Sequence, residues 1–328
     1  MGFFLRRLLF YFIALLVAAT INFIIPRAMP GDPVTMMFAN ASVQVTPERI
    51  EAMRQLLGFV DGPWYQQYYI YIKSILSWDL GTSIQFYPQT VNQLLGNAVG
   101  WSLFLAGTAV IVAFCIGSVL GIFAAWKRGS RYDSIVSPGM LMIQAIPPVV
   151  VAMLMLFTFA IGLRWFPTSY AYTPGELPDW SSPAFYLDLL YHAALPLFCA
   201  TLIQIGGFLI NMRNNMINLL NEDYITMAKG KGLNEKRIVF NYAARNALLP
   251  SVTSLSMALG MAIGGQLIIE IIFNYPGLGT VLLNAIQSRD YQVLQGQLII
   301  MTLFMLFFNF LADILIVILD PRLRKGGQ

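Results

Sequence analysis

The stretch that decides the fold runs from Asn221 to Pro250 and reads NEDYITMAKGKGLNEKRIVFNYAARNALLP. It is the longest charged and polar interruption late in the chain, and it is flanked by the apolar runs Ala193–Met212 and Ala247–Ile269. Each run has the length of about 20 residues that a membrane-spanning helix needs. The stretch is therefore predicted to be a loop on one side of a membrane.

The composition favours a membrane protein. Hydrophobic residues make up 57% of the chain and charged residues only 11%, and the mean hydropathy is +0.66. A soluble domain carries about 25% charged residues, so this chain lacks the charge that a water-facing surface requires. The two cysteines, Cys115 and Cys199, lie within apolar runs and are predicted to act as small hydrophobic side chains.

Six apolar runs are long enough to span a membrane. The first follows Arg6 and Arg7, as a signal peptide would, but it is longer than the apolar core of about 7–15 residues that such peptides have, and no clear cleavage site ends it. It is predicted to be a retained helix, and the fold class to be an all-α membrane protein with six transmembrane helices. The runs are Leu8–Ile25, Ala98–Trp126, Ile135–Leu163, Ala193–Met212, Ala247–Ile269 and Tyr291–Leu319.

The distribution of basic residues predicts the orientation. If the N-terminus is cytoplasmic, the outer segments hold only six of the 20 lysines and arginines: Arg27, Arg49, Arg54, Lys73, Arg164 and Arg289. Basic residues are retained on the cytoplasmic side of membrane proteins, so both termini are predicted to be cytoplasmic. The inner basic residues are divided among four segments, which argues against a nucleic-acid-binding surface.

An external segment, residues 29–97, follows the first span. Thr46 as N-cap, Pro47 at the first helical position and Gly58 at the end predict a helix within it. An aromatic cluster follows, which is typical of the lipid headgroup boundary but also suits the stacking of a sugar or peptide. It comprises Trp64, Tyr65, Tyr68, Tyr69 and Tyr71.

Several residues within the spans are candidates for gating or for lining a pathway. Pro147 and Pro148 interrupt the third run and predict a kink, because proline removes a backbone donor. Glu270 and Asp313 are acids within or beside the fifth and sixth runs, and Gln266 precedes the first of them. Ionisable residues in membranes are functional candidates, and structural or gating roles are weighed here against a proton relay.

The motifs of several enzyme classes are missing. His192 is the single histidine, which excludes an H-E-x-x-H zinc site, and no G-x-S-x-G motif accompanies it. The phosphate-binding motif G-x-x-x-x-G-K-[ST] is also absent. If ATP drives a process here, another chain must hydrolyse it, so this chain is predicted not to be an enzyme.

Two short helices are predicted within the decisive stretch. The first is capped by Asn221 or Asp223 and runs to Lys229, where Gly230 and Gly232 break it. It is expected to present four residues to a groove on a partner, with lysines at the rim: Tyr224, Ile225, Met227 and Ala228.

The second helix is predicted to start at Asn234 and Glu235 and to end where Pro250 interrupts the pattern. An amphipathic helix that lies along lipid headgroups is the alternative for this region.

These residues resemble the EAA-type loop of ABC importer permeases, in the longer form of the dipeptide/oligopeptide/nickel family and its first-permease (B-type) subunits. Tyr224–Leu233 (YITMAKGKGL) matches the core of that loop and Arg245–Pro250 (RNALLP) its end, although Thr226 occupies the name-giving glutamate position. Further motifs resemble the family in order along nearly the whole chain. They are Pro30–Pro33 (PGDP), Asp79–Ser83 (DLGTS), Tyr275–Gly279 (YPGLG), Arg289–Tyr291 (RDY) and Asp320–Arg322 (DPR).

The resemblance implies a type I importer fold in a prokaryotic cell membrane, with a cytoplasmic coupling helix between the fourth and fifth spans. It implies a homologous second permease, two ATPase subunits that hold ATP and Mg, an extracellular solute-binding protein, and no cofactor or metal in this chain. The expected divisions are residues 1–97, the core 98–320 with the coupling loop 221–250, and the tail 321–328. The implied ATPase-coupling residues are Asp223, Tyr224, Ile225, Ala228, Lys229, Gly230, Gly232 and Leu233.

The expected function is therefore half of a translocation pathway for di- or oligopeptides, operated by alternating access. Oligosaccharides or nickel complexes are alternative solutes for the same class of importer. A proton-coupled secondary transporter that uses Glu270 and Asp313 is the alternative from another class, and an intramembrane hydrolase that uses His192 has almost no support.

Overall fold

The computed structural model describes residues 2–28, 62–176 and 178–319, and within them the structure is almost entirely helical. The predicted external helix at residues 46–58 and the motifs Pro30–Pro33 and Asp320–Arg322 lie outside these ranges. Two π-helical segments, Leu156–Gly162 and Ile238–Ala244, accompany the α-helices. The α-helices are α1 Gly2–Ala28, α2 Trp64–Leu76, α3 Val91–Trp126, α4 Arg131–Ala145, α5 Pro148–Met155, α6 Pro183–Leu220, α7 Asp223–Gly230, α8 Glu235–Arg237, α9 Arg245–Gly265, α10 Leu267–Ile272, α11 Leu278–Ser288 and α12 Tyr291–Leu319.

Four helices of the described part are long and apolar enough to cross a membrane: α1, α3, α6 and α12. A fifth span results if α4 and the segment Pro148–Gly162 are counted together, since they are bent by 97° at the break between them. The kink predicted at Pro147 and Pro148 is thus confirmed. The membrane class is confirmed too, while the count of six spans stays a prediction.

The chain divides into two compact units, of which the first comprises residues 1–102 and 276–306. In this unit α2 packs against α1 through polar contacts of its tyrosines. The Tyr68 hydroxyl lies 2.7 Å from the Thr20 hydroxyl, and the Asn22 amide donates to the Tyr71 hydroxyl at 3.1 Å. Trp64 and two other members of the aromatic cluster, Tyr65 and Tyr69, remain exposed. The cluster is therefore divided between packing and an exposed face.

A buried carboxylate, Asp290, connects two separated parts of the first unit. One of its oxygens accepts hydrogen bonds from the Ser83 hydroxyl at 2.6 Å and from the Ile84 and Gln85 amides at 2.8 and 3.1 Å. The other oxygen accepts from the Val293 amide in the first turn of α12 at 3.2 Å. Asp290 therefore fixes the segment before α3 to the start of the last helix.

The second unit, residues 103–275 and 307–328, is built around α6. A β-carbon on Gly121 of α3 would lie 2.5 Å from the Leu209 carbonyl of α6, and one on Gly117 would lie 2.8 Å from the Ile205 carbonyl. On another side of α6, a β-carbon on Gly206 would lie 2.7 Å from the Met140 carbonyl of α4. Only glycine leaves room for such close contact between helix backbones.

Replacing Asp290 by asparagine should destabilise the protein by about 1–3 kcal/mol, because an amide nitrogen would face buried donors that now share a carboxylate. The measurement is the thermal unfolding midpoint of the purified protein, with proteolysis of the segment after Leu80 as a local probe. The exposed Asp179, whose side chain accepts from the neighbouring Ser181, provides the control Asp179→Asn, with an effect within about 0.5 kcal/mol. Equal shifts for both variants would contradict the role given to Asp290.

Gly121→Ala should lower stability by about 1–3 kcal/mol, because the added methyl group meets the α6 backbone. Gly107, on the same helix, has no atom within 4 Å of an added β-carbon. Gly107→Ala should therefore be neutral or stabilising by up to about 1 kcal/mol, as expected for glycine within a helix. Unfolding of the two purified variants in parallel is the test, and a Gly121→Ala protein as stable as Gly107→Ala would disprove the close contact.

Candidate coupling site

The first helix of the decisive stretch is α7, Asp223–Gly230. Its N-cap position is occupied by Glu222, whose side chain makes no capping hydrogen bond. The prediction that Asn221 or Asp223 caps the helix is therefore wrong. Asp223 instead lies in the first turn and Lys229 in the last, where each charge complements the helix dipole.

One face of α7 is buried within this chain. Ile225 and Ala228 are 0% and 4% exposed, so the prediction that they face a partner is wrong. They pack in an apolar cluster with the C-terminal ends of α3 and α6 and with the π-helical segment Ile238–Ala244, and we call this set the coupling cluster. Its buried members are Ile122, Ala125, Met212, Met216, Ile225, Ala228, Ile238, Val239, Ala243, Ala244 and Ala247.

The opposite face of α7 is exposed. Met227 is 59% exposed, and Asp223, Thr226, Lys229 and Gly230 are exposed beside it. Met227 is therefore a large apolar side chain beside the small Thr226 and Gly230. The charged Asp223 and Lys229 lie in the first and last turns of the helix. We call this set the docking face.

The turn after α7 places Gly232 at a φ of 71°, in the left-handed region that favours glycine. The Leu233 amide bonds to the Ala228 carbonyl at 3.3 Å, which returns the chain toward α7. The Asn234 side chain then caps the next helix by accepting from the Lys236 amide at 3.0 Å. The predicted start of the second helix at Asn234 and Glu235 is thus confirmed.

The prediction that the second helix ends at Pro250 is wrong. Helical structure continues from Glu235 through the π-helical segment into α9, which contains Pro250 and ends at Gly265. Ala243, Ala244 and Ala247 are buried in the coupling cluster on the side leading into Pro250. Packing of this kind outweighs the one hydrogen bond that a proline removes.

Side-chain contacts tie the start of the second helix to α3. The Trp126 indole donates to the Glu235 carboxylate at 2.8 Å. Trp126 also packs edge-to-face against Phe240, and Phe123 contacts both rings. Both α7 and the segment after it therefore pack against the C-terminal end of α3.

An ion pair between the buried Asp133 and the half-buried Arg213 joins α4 to α6 close to the coupling cluster. Asp133 is 6% exposed and receives both Nε and Nη2 of Arg213, at 2.7 and 2.8 Å. The Ser137 hydroxyl and the Gly129 amide donate to the same carboxylate at 2.9 and 3.1 Å. Removing one partner of such a pair would leave an uncompensated buried charge. The sequence alone gave no sign that these two residues meet, since they are distant in the chain.

The predicted pathway residues lie on three elements of the second unit. Pro147 and Pro148 form the break between α4 and α5, and α10, which packs against α5, carries Glu270 with Gln266 just before it. Glu270 is fully buried, and its backbone carbonyl accepts from the Tyr275 amide at 2.8 Å. Asp313 is also buried, on α12.

A ladder of uncharged polar side chains, not foreseen from the sequence, joins α6 to α9. The Asn211 amide donates to the Ser254 hydroxyl at 2.9 Å, and the Asn215 amide donates to Asn211 at 2.9 Å and to the Ser251 hydroxyl at 3.2 Å. The available signal was the spacing of Asn211 and Asn215, four residues apart on one helix face.

Comparison with known proteins identifies the class. The family described as "Binding-protein-dependent transport system inner membrane component" matches residues 117–325, and the corresponding N-terminal family matches residues 1–87. The chain therefore belongs to the binding-protein-dependent transport system inner membrane components, the permease class of ABC importers. The resemblance seen in the motifs is confirmed.

Full-length relatives support the same assignment. A peptide permease protein of Brucella suis is 33% identical over 98% of both chains. The oligopeptide transport system permease protein AppB of Bacillus subtilis is 30% identical, again over 98% of both chains. OppB of Haemophilus influenzae, an oligopeptide transport system permease protein, is 31% identical over 98% of this chain and 99% of its own length.

The conformations of Gly230 and Gly232 predict different responses to alanine. Gly232→Ala should destabilise the turn after α7 by about 1–2 kcal/mol, because a side chain is strained at positive φ. Gly230 is helical and has open space around a β-carbon, so Gly230→Ala should be neutral or slightly stabilising. The thermal unfolding midpoints of the two purified variants test this, and the reverse order would contradict the turn.

Proposed function

We propose that this chain is the permease subunit of a peptide importer, in which it forms half of the pathway for di- or oligopeptides. Its motion is alternating access, driven by separate ATPase subunits. The names of the relatives support the solute class, since the three described above are peptide or oligopeptide permeases.

The division of α7 into two faces is the observation that carries the proposal. Its buried face, with Ile225 and Ala228, is continuous with the apolar core of the permease. Its exposed face presents Met227 to the surroundings at the end of the molecule where basic residues gather. An exposed apolar side chain on a short helix is well suited to a groove on another protein. We assign that groove to an ATPase subunit.

Force applied to the docking face passes into several spans at once. The coupling cluster joins α7 to α3, α6 and the segment before α9, and the Asp133–Arg213 pair joins α6 to α4. A packed apolar cluster transmits displacement because it is dense and has few voids. Closure of the ATPases would therefore shift these helices as a group.

The placement of partners follows from the distribution of charge. Both termini and α7 lie on the cytoplasmic side of the cell membrane, and the segments around α2 and α11 lie outside. An extracellular solute-binding protein docks there, and a homologous permease completes the pathway. ATP and Mg are bound by the two ATPase subunits, and this chain performs no hydrolysis of its own.

Gly230→Trp is the sharpest test of the docking face. An added β-carbon at Gly230 meets no atom of this chain within 4 Å, so the variant should fold but should obstruct a partner. In proteoliposomes that contain the complete importer, we expect uptake and binding-protein-stimulated ATP hydrolysis to fall at least about tenfold, as when a central contact of an interface is lost.

Three further variants complete that experiment. Asn218→Trp places the same side chain at an exposed position of the neighbouring helix α6 and should leave uptake near the parental rate. Met227→Leu keeps an apolar side chain and should preserve activity, whereas Met227→Glu should not. Normal uptake by Gly230→Trp and Met227→Glu would refute docking through this face.

A further inference from the structure

An open cavity with a mixed polar and apolar lining lies between α4, α6 and α9 within the second unit. Its volume is about 450 Å³, which is within the range of about 300–1,000 Å³ of small-molecule sites. Four uncharged hydrogen-bonding side chains line it together with Ile203, Gly207 and Phe208. They are Gln144 from α4, Gln204 and Asn211 from α6, and Ser254 from α9.

The amides of the cavity retain unused hydrogen-bonding capacity. Gln204 donates one hydrogen to the Ala200 carbonyl of its own helix at 3.0 Å, and no described residue accepts the other or donates to its oxygen. Gln144 is exposed and makes no side-chain hydrogen bond to any described residue. Exposing amide groups without hydrogen-bond partners to lipid costs free energy, so in a membrane these side chains face a water-filled path or other protein.

Two structural features hold the cavity open. The break at Pro147 ends α4 just after Gln144, which leaves this side chain at the end of a half-helix. Gly207 lies on the opposite wall and adds no side chain to the cavity. A β-carbon there would make only ordinary contact with the Gln144 amide nitrogen, at 3.5 Å, so there is free space in front of this residue. The neighbouring Gly206, by contrast, faces the α4 backbone, where a β-carbon would meet the Met140 carbonyl at 2.7 Å.

We propose that this cavity binds the main-chain amides of a peptide during its passage, with Gln144 and Gln204 as the recognising side chains. A carboxamide offers both donors and acceptors, as every peptide unit does, so it can pair with a main chain whatever the side chains are. No ionisable residue lines the cavity, which fits a site that does not select among side-chain charges.

The dimensions fit an extended peptide. Gln204 and Asn211 are seven residues apart on α6, a rise of about 10 Å along the helix axis. An extended chain advances about 3.3–3.6 Å per residue, so about three residues span that distance. The inference rests on the proposed peptide transport and adds the position at which the solute is held.

The test uses the complete importer in proteoliposomes, with binding protein that is saturated either with labelled trialanine or with trialanine methylated on its amide nitrogens. Saturation removes differences in capture, so the rates report passage through the permease. For the parental importer we expect about fivefold slower uptake of the methylated peptide, because a main-chain donor is lost.

The double variant Gln144→Leu/Gln204→Leu should slow trialanine uptake about tenfold and bring the two peptides to similar rates. Stimulation of ATP hydrolysis by loaded binding protein should persist, since the docking face is intact. Asn218→Leu, which also replaces an amide by leucine but at an exposed position of α6 away from the cavity lining, is the matched control and should retain both the rate and the preference.

Each contrary result has a distinct meaning. If the parental importer takes up trialanine and the double variant shows the same rate and the same preference for it over the methylated peptide, the cavity assignment is overturned. The proposed peptide transport would then stand. Loss of the second permease from the purified double variant would also overturn it, because the amides would then belong to a subunit interface. A parental importer that takes up neither peptide would overturn the peptide function and the cavity's role with it.

A second variant decides the matter if the double variant does not fold. Gly207→Met fills the cavity from the opposite wall, and the space at that β-carbon permits the substitution. It should reduce trialanine uptake about tenfold or more, while Gly207→Ala should have a small effect. Parental uptake by Gly207→Met would overturn the proposal.

Discussion

Close backbone contact between α6 and its neighbours is the constraint on which the second unit depends. Gly117 and Gly121 bring α3 against it, and Gly206 brings α4 against it. In a membrane there is little hydrophobic force between helices, so close van der Waals packing at small residues is a principal source of attraction. A single methyl group at these positions separates the helices, and the ion pair and the polar ladder on α6 then lose their geometry.

This constraint also gives α7 a firm support. α7 rests on the ends of α3 and α6, the two helices that the glycines hold together. A helix seated on a rigid pair moves the pair rather than sliding over it, because packed interiors do not deform continuously. In the proposed function, the buried face of α7 therefore matters for coupling as much as the docking face does.

The first unit shows how motifs that are far apart in the sequence come together in the structure. Asp79–Ser83 and Arg289–Tyr291 resemble family motifs, and they meet where Asp290 accepts from Ser83 and the following amides. A carboxylate that satisfies several buried donors fixes irregular backbone where no regular secondary structure can do so.

The sequence by itself determined the membrane class, the kink at Pro147 and the helical stretch after Asn221, because hydropathy, proline and glycine act locally. Only the tertiary structure decided which face of α7 is buried, since neighbours far along the chain cover Ile225 and Ala228. Packing likewise keeps the chain helical across Pro250, although a proline by itself favours the end of a helix. Gln144 and Gln204 line one cavity for the same reason: the contacts that bring α4 and α6 together are long-range, and no local pattern encodes them.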